Sequence, residues 1–165
     1  MAHTIAEVNQ LSQAEFVELL GDVFEETPAV ATRAWAARPF TDVSALHQAM
    51  VTVVEHMPSA EQLALIQAHP ELGSRVQMAD ASVQEQAGAG LNQLIPAEYE
   101  RFQTLNSAYK KKFGFPFIVA VKGHDKESIL QMYERRLEND KAEEIARSLA
   151  EISKIAQFRL ADLIE

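Results

Sequence analysis

One run in the chain is unfit for a helix and has nothing to pair with as a strand. It reads Phe113-Gly114-Phe115-Pro116-Phe117-Ile118-Val119-Ala120-Val121-Lys122-Gly123. Gly114 and Pro116 break a helix at its start, and Phe-Ile-Val-Ala-Val has the aromatic and β-branched content of a strand. No other stretch is strand-like, and a lone strand builds no sheet. The run therefore reads as a buried extended segment, about 117–121, inside an otherwise helical protein. Its backbone N–H and C=O groups need partners once buried, and a ligand rich in amides is a natural one.

Around that segment, apolar residues recur at three and four. Ser12-Gln13-Ala14-Glu15 has the capping-box form and leads into Phe16, Leu19, Leu20 and Val23. Thr27-Pro28 marks a second start, with proline at the first helical position. That helix carries Trp35, read as a core anchor, and Arg38-Pro39-Phe40 ends it. Asp42 or Ser44 caps the next helix, whose stripe is Val43, Leu46, Met50, Val53 or Val54, and Met57. His47 and His56 lie on it without the i, i+4 spacing of a zinc pair and read as surface or structural.

Ser59 with Gln62, Ser82 with Glu85, and Asp140 with Glu143 give further capping-box starts. Ser74 to Ala81 is polar and aperiodic, a loop. Pro96 opens a long helix with Tyr99, Phe102, Leu105 or Asn106, and Tyr109 on one face. Lys110-Lys111-Lys112 sits at its C-terminal end, where the helix dipole favours positive charge. Asp125 or Ser128 opens a helix bearing Ile129, Tyr133, Arg136 and Leu137. The final stripe is Ile145, Leu149, Ile152, Ala156 and Leu163, and its repeat also lands on Arg159. With 165 residues, 47% of them apolar, the reading is one all-α, single-domain helical bundle spanning 1–165.

A net charge of −9 argues against nucleic acid, which calls for a Lys/Arg surplus, and against an anionic membrane surface. It leaves room for a small anionic substrate held by a local cation. The chain has no cysteine, hence no disulfide framework and no thiolate chemistry. No apolar run approaches the roughly 20 residues that span a bilayer. The N-terminus lacks signal-peptide regions, and Leu163-Ile164-Glu165 is no peroxisomal address. The expected location is cytoplasmic.

Three polar groups stand in unusual places. His69 lies in Gln67-Ala68-His69-Pro70-Glu71-Leu72-Gly73, where the following proline forces a helix to stop and Gly73 permits a turn. A histidine held there serves as a catalytic imidazole, a cap or a core residue; spacing does not separate these. Glu85 either caps its helix with Ser82 or faces an anionic ligand at that helix start. Arg159, inside an apolar stripe, meets an acidic side chain, snorkels out at the helix end, or grips an anion with its planar fork. Walker, G-x-G-x-x-G, H-E-x-x-H and G-x-S-x-G motifs are absent, so no metal and no nucleotide cofactor is indicated. A proton carrier, a carboxylate, a cation and a stretch of amide backbone suit a small amide-rich anion whose reaction moves a proton.

In their order along the chain, these residues resemble the OHCU decarboxylases, which act on 2-oxo-4-hydroxy-4-carboxy-5-ureidoimidazoline (OHCU), the last unstable intermediate between urate and allantoin. The likeness rests on His69-Pro70-Glu71-Leu72-Gly73, on Ser82-x-x-Glu85-Gln86 leading to Ala89-Gly90-Leu91, and on Lys112-Phe113-Gly114-Phe115-Pro116-Phe117. It continues through Arg136-Leu137-x-Asn139, Glu144-Ile145, Glu151-Ile152 and Arg159-Leu160, with Arg33-Ala34-Trp35 and Arg38-Pro39-Phe40 near the start. It covers nearly the whole chain.

The resemblance implies an all-α homodimer that decarboxylates OHCU to (S)-allantoin without a cofactor. It implies His69 as catalytic acid/base, with Glu85 and Arg159 as its partners in the chemistry. Pro70, Ser82, Val83, Gln84, Glu85, Gln86, Phe117, Ile118, Val119, Ala120 and Val121 would border the substrate, and Arg159 would grip it. The stretch from Gly73 to Ser82 looks shorter than in vertebrate members, which implies a more open wall. The competing classes are a helical interaction module, which would show an exposed apolar groove, and a ureide hydrolase, which would need metal ligands.

Overall fold

The computed structural model describes residues 2–72 and 80–165, with side chains from residue 84 onward in the second span. Gly73, the polar stretch 74–79 and the side chains of Ser82 and Val83 lie outside the described residues, and so does the expectation of a more open wall. The chain divides into two units, one of residues up to Ala68 with Ser153–Glu165, the other His69–Ile152.

In the first unit, helix α1 (Ile5–Asn9) is capped by the Thr4 hydroxyl, which accepts from the Glu7 N–H. The expected capping box opens α2 (Gln13–Leu20): Ser12 Oγ accepts from Glu15 N at 3.2 Å, and Glu15 accepts from Ser12 N at 3.0 Å. Helix α3 (Ala29–Ala34) runs into a 3-10 turn, Trp35–Ala37, with Pro28 at the cap position and not inside the helix. Trp35 is half-buried, so it is a brace and no core anchor. Its indole N–H donates to Leu11 O at 3.1 Å, and the Arg38 guanidinium lies 3.8 Å above the ring.

Asp42 caps α4 (Val43–Glu55), accepting from Ala45 N at 2.7 Å. Leu46, Met50 and Val54 fill the core, while Val53 is half-buried, which settles that register. Helix α5 (Ser59–Ala68) lacks the box expected of Ser59 and Gln62. The Pro58 carbonyl takes the Glu61 and Gln62 N–H groups, and the Gln62 amide donates to Val54 O at 2.9 Å. His47 Nε2 bonds to Ser153 O at 2.8 Å, and His56 Nδ1 to Thr52 O at 2.8 Å, both structural contacts. A short parallel bridge joins His3 to Ile164.

The second unit opens at His69. Helix α6 (Asp80–Gly88) begins ahead of Ser82, so Ser82 is not its N-cap, and Asp80 and Ala81 are helical and not loop. Helix α7 (Pro96–Phe113) has Pro96 at its first turn and Glu98 accepting from Ile95 N at 3.0 Å. It ends at Gly114, whose φ of 83° is a left-handed cap that side-chain-bearing residues resist. Asp125 caps α8 (Lys126–Arg136), and Asp140 caps α9 (Lys141–Leu163). Phe102, Tyr109, Phe113, Phe115, Phe117 and Tyr133 are all essentially buried. Burying a large apolar side chain gains roughly 1.5–3 kcal/mol, so this cluster contributes substantially to the unit's cohesion.

Between α7 and α8, residues 116–121 form neither helix nor strand, and all are buried. Among the described residues there is no strand, and no helix is long and apolar enough to cross a membrane. Among the described residues the fold is all-α, with a buried non-helical segment at 116–121.

The face of α9 differs from its expected stripe. Ile145 and Leu149 are half-buried, whereas Glu144, Ser148 and Glu151 are buried, followed by Ile152, Ile155, Ala156, Arg159 and Leu160. The inward face is polar along its first half because the non-helical segment and Arg136 need hydrogen-bonding partners.

Candidate active site

Residue 69 is where α5 must end: a residue before proline is driven out of the helical region, and the helix stops at Ala68. His69 is 8% exposed, Pro70 and Glu71 are half-buried, and Leu72 is buried. The Leu72 carbonyl accepts a hydrogen bond from the Asn106 side-chain amide at 2.9 Å. Asn106 is itself buried on α7, and its side-chain oxygen accepts from the Tyr133 hydroxyl on α8. The Tyr133 ring stacks on Phe117, centroids 3.8 Å apart and planes inclined by 18°. A continuous set of contacts thus runs from the His69–Leu72 turn to the head of the non-helical segment.

That segment is fixed by side chains on both sides of its centre. Arg136 donates to Ile118 O, and its guanidinium carbon lies 4.3 Å from the Phe117 ring centroid. Ala120 N donates to Glu151 Oε1 at 3.1 Å, and Val121 O accepts from His124 N at 2.9 Å. The Ile118 carbonyl, the Ala120 N–H and the Val121 carbonyl therefore have protein partners, whereas the sequence had pointed to a ligand. Arg136 is held by Glu144, with Nε to Oε1 at 2.8 Å. Tyr109 donates to the same oxygen at 2.6 Å, and Asn139 donates to Oε2 at 2.9 Å.

The two phenols keep their protons. Burial raises the Tyr109 pKa, and its bond to Glu144 raises it further. Burial also pushes Tyr133 well above the ordinary range, with the Glu71 carboxylate adding to it. Both therefore remain donors at any working pH.

Of the expected site residues, His69, Pro70, Glu85 and Phe117 to Val121 fall in the second unit, with Gln84 exposed, Glu85 half-buried and Gln86 buried on α6. Arg159 falls in the first unit. There it meets the acidic partner left open by the sequence: its NH2 lies 3.0 Å from Glu25 Oε2, and both side chains are buried. Its NH1 also donates to Asp22 O at 3.1 Å. Glu25 and Asn106 were missed as functional candidates. Asn106 had a signal, being an amide in an apolar stripe; Glu25 had none, because its partner lies at the far end of the chain.

A groove of about 450 Å3 in the first unit is lined by Phe40, Ala45, Ala49 and Val53 among others. Its one charged lining residue, Arg33, is ion-paired with Glu61 at 2.9 Å. It offers no proton carrier for chemistry.

The family model for OHCU decarboxylase matches residues 9–161. The 2-oxo-4-hydroxy-4-carboxy-5-ureidoimidazoline decarboxylase of Halalkalicoccus jeotgali is 46% identical, over 97% of this chain and 91% of that relative. The protein of the same description from Haloferax volcanii is 43% identical, over 96% of this chain and 95% of its own. A crystal structure of (S)-allantoin synthase superimposes with a TM-score of 0.79 at 28% identity; the match covers 99% of this chain but 54% of that one. With its inward-turned histidine, its buried non-helical segment and this near full-length likeness, the chain belongs to the OHCU decarboxylase family.

Proposed function

We propose that this protein decarboxylates OHCU to (S)-allantoin, a late step of urate degradation, as a carboxy-lyase that needs no cofactor. The observation that carries the reading is the family match across residues 9–161, shared with relatives of nearly the same length. The reading also takes the chain to act as one domain over 1–165, as a cytoplasmic homodimer.

The substrate supplies its own electron sink. Carbon 4 bears the hydroxyl and the carboxylate, and the neighbouring ring carbon is doubly bonded to nitrogen. When the bond to the carboxylate breaks, CO2 leaves and the electron pair forms a double bond between carbons 4 and 5. The imine nitrogen then takes up a proton. The resulting enol gives up its hydroxyl proton while carbon 5 receives one, which creates the carbonyl and the stereocentre of allantoin.

In this scheme His69 engages the 4-hydroxyl or the departing carboxylate and manages the proton, a role worth about 10²–10⁴ in rate. Glu85 holds the imidazole or a ureido N–H. Arg159, aimed by Glu25, fixes a substrate oxygen. Pro70, Ser82 to Gln86 and Phe117 to Val121 border the substrate, and proton delivery from one fixed side gives one enantiomer. Because Ile118 O and Ala120 N are already bonded to Arg136 and Glu151, those two groups serve to shape the wall.

The test generates OHCU from urate with the two upstream enzymes and follows optical rotation. Wild-type protein is expected to accelerate the formation of dextrorotatory (S)-allantoin, and His69→Ala to leave only slow, racemic product. No acceleration by wild type would refute the functional reading. A His69→Ala protein with the wild-type rate and a single enantiomer would refute the role of His69 alone.

A further inference from the structure

We propose that Asn106 and Tyr133 are positioning residues that set the placement of His69 against the Phe117 segment. The proposal rests on the decarboxylase reading and deepens it, since neither residue is asked to touch the substrate.

The two side chains form one bridge between two irregular pieces of backbone. Asn106, 2% exposed, spends its amide on Leu72 O at 2.9 Å. Its side-chain oxygen accepts from the Tyr133 hydroxyl, and Tyr133, fully buried, lays its ring flat on Phe117. Both residues stand on helices, α7 and α8, so the bridge is rigid at its base. At one end, only Pro70 and Glu71 separate His69 from the anchored Leu72, and proline has a fixed φ. Few backbone torsions are then left between the imidazole and the anchor. At the other end, Phe117 lies near the start of the buried segment whose Ile118 carbonyl is tied to Arg136.

The bonding pattern also selects the residue types. Asn has a donor and an acceptor on one short side chain, and here each faces a complementary group. An aspartate at this place would set a carboxylate oxygen against the Leu72 carbonyl. A phenylalanine in place of Tyr133 would keep the stack on Phe117 and leave the buried Asn106 oxygen without that donor.

The experiment compares Asn106→Asp, Tyr133→Phe and Arg101→Gln. The last breaks the exposed Arg101–Glu134 ion pair between the same two helices and leaves the bridge alone. Two readouts are taken. The first is the enantiomeric excess of allantoin, with enzyme raised until catalysed flux equals that of wild type, so that uncatalysed product does not enter. The second is the ring resonance of His69, assigned by its loss in His69→Gln, which requires no turnover.

Asn106→Asp and Tyr133→Phe are expected to lower kcat by roughly 10- to 100-fold with KM little changed, the effect of a misplaced group in a preorganised site. They are also expected to reduce enantiomeric excess and to shift or broaden the His69 resonance. Arg101→Gln should change none of these. If Asn106→Asp does not fold, Tyr133→Phe, which keeps ring and stack, carries the test. Variants that lose thermal stability yet keep wild-type enantiomeric excess and His69 resonance would overturn the proposal and make the bridge merely structural. If wild type itself fails to accelerate the reaction, the decarboxylase reading falls, and the His69 resonance still decides whether the bridge positions the ring.

Discussion

Arg136 and Arg159 are both buried guanidinium groups matched to a buried carboxylate, and their surroundings differ in kind. Arg136 on α8 meets Glu144 in the first turn of α9, and that carboxylate also receives Tyr109 and Asn139. Every one of these partners except Asn139 sits on a helix. Arg159 on α9 instead meets Glu25 and the Asp22 carbonyl, which belong to the irregular turn between α2 and α3. In that turn Glu26 has a φ of 45°, unusual for a residue with a side chain. One ion pair is thus built into helix packing, and the other secures a turn. A buried charge is tolerated only when paired and bonded, so each pair is obligatory. The consequences of loss should diverge: whole-unit stability for Arg136, local order and substrate handling for Arg159.

The largest effect expected is that of Arg136→Met. It leaves Glu144 buried without its cation and frees the Ile118 carbonyl, a loss of about 3–5 kcal/mol in unfolding by urea. Replacing both partners, Arg136→Met with Glu144→Leu, should recover part of this, because no uncompensated charge remains. A loss below about 1 kcal/mol for the single variant would mean that the pair is not what holds α8 to α9, since exposed pairs fall in that range.

Arg159→Lys sharpens the contrast. Lysine keeps the charge near Glu25 and loses the planar fork that addresses two acceptors at once. If Arg159 holds a substrate oxygen, kcat/KM should drop roughly 10- to 100-fold, or about 1.4–2.7 kcal/mol of transition-state binding, mostly through KM. The denaturation midpoint should move less than for Arg136→Lys. Should Arg159→Lys keep wild-type kinetics and lose only stability, the guanidinium is a structural tie, like Arg136, and the comparison dissolves.

The difference between the two arginines also explains what could be read from the chain. Helix starts were legible at Ser12, Asp42, Asp125 and Asp140, where an oxygen-bearing cap stands next to its own helix, though the short helix capped by Thr4 was not. The forced stop before Pro70 and the buried segment after Gly114 were legible too. The Ser82 box misled because the pattern does not reveal whether the preceding residues are already helical, and the Ser59 box because Ser59 is itself the first helical residue and the Pro58 carbonyl takes the N–H groups of Glu61 and Gln62. The stripe on α9 was displaced because apolar periodicity is blind to a face whose polar residues are buried for their hydrogen bonds. Glu151 is inward since Ala120 N requires an acceptor, and that requirement is visible only once the segment is placed. Glu25 was invisible for the same reason: nothing local ties it to Arg159.

Tyr109→Phe is the smallest of these expected effects and tests how far the Arg136 network is self-supporting. The hydroxyl donates to Glu144 at 2.6 Å, while Arg136 and Asn139 hold the same carboxylate. Its removal should cost about 1.5 kcal/mol, the low end for a bond to a charged group, because two other partners remain. The pH dependence has a definite sign. Burial, and then the bond to Glu144, raise the folded-state pKa of this phenol above the unfolded value of about 10. Its contribution is therefore complete below pH 10 and is lost as pH rises beyond it, since the unfolded chain then releases a proton that the folded chain keeps. Wild type should accordingly lose stability faster than Tyr109→Phe above pH 10, and the gap between them should narrow. A gap that stays constant with pH would show that the phenol ionises alike in both states. Burial and the bond to Glu144 would then not be what keeps the proton on Tyr109, and the network around Arg136 would be looser than its geometry indicates.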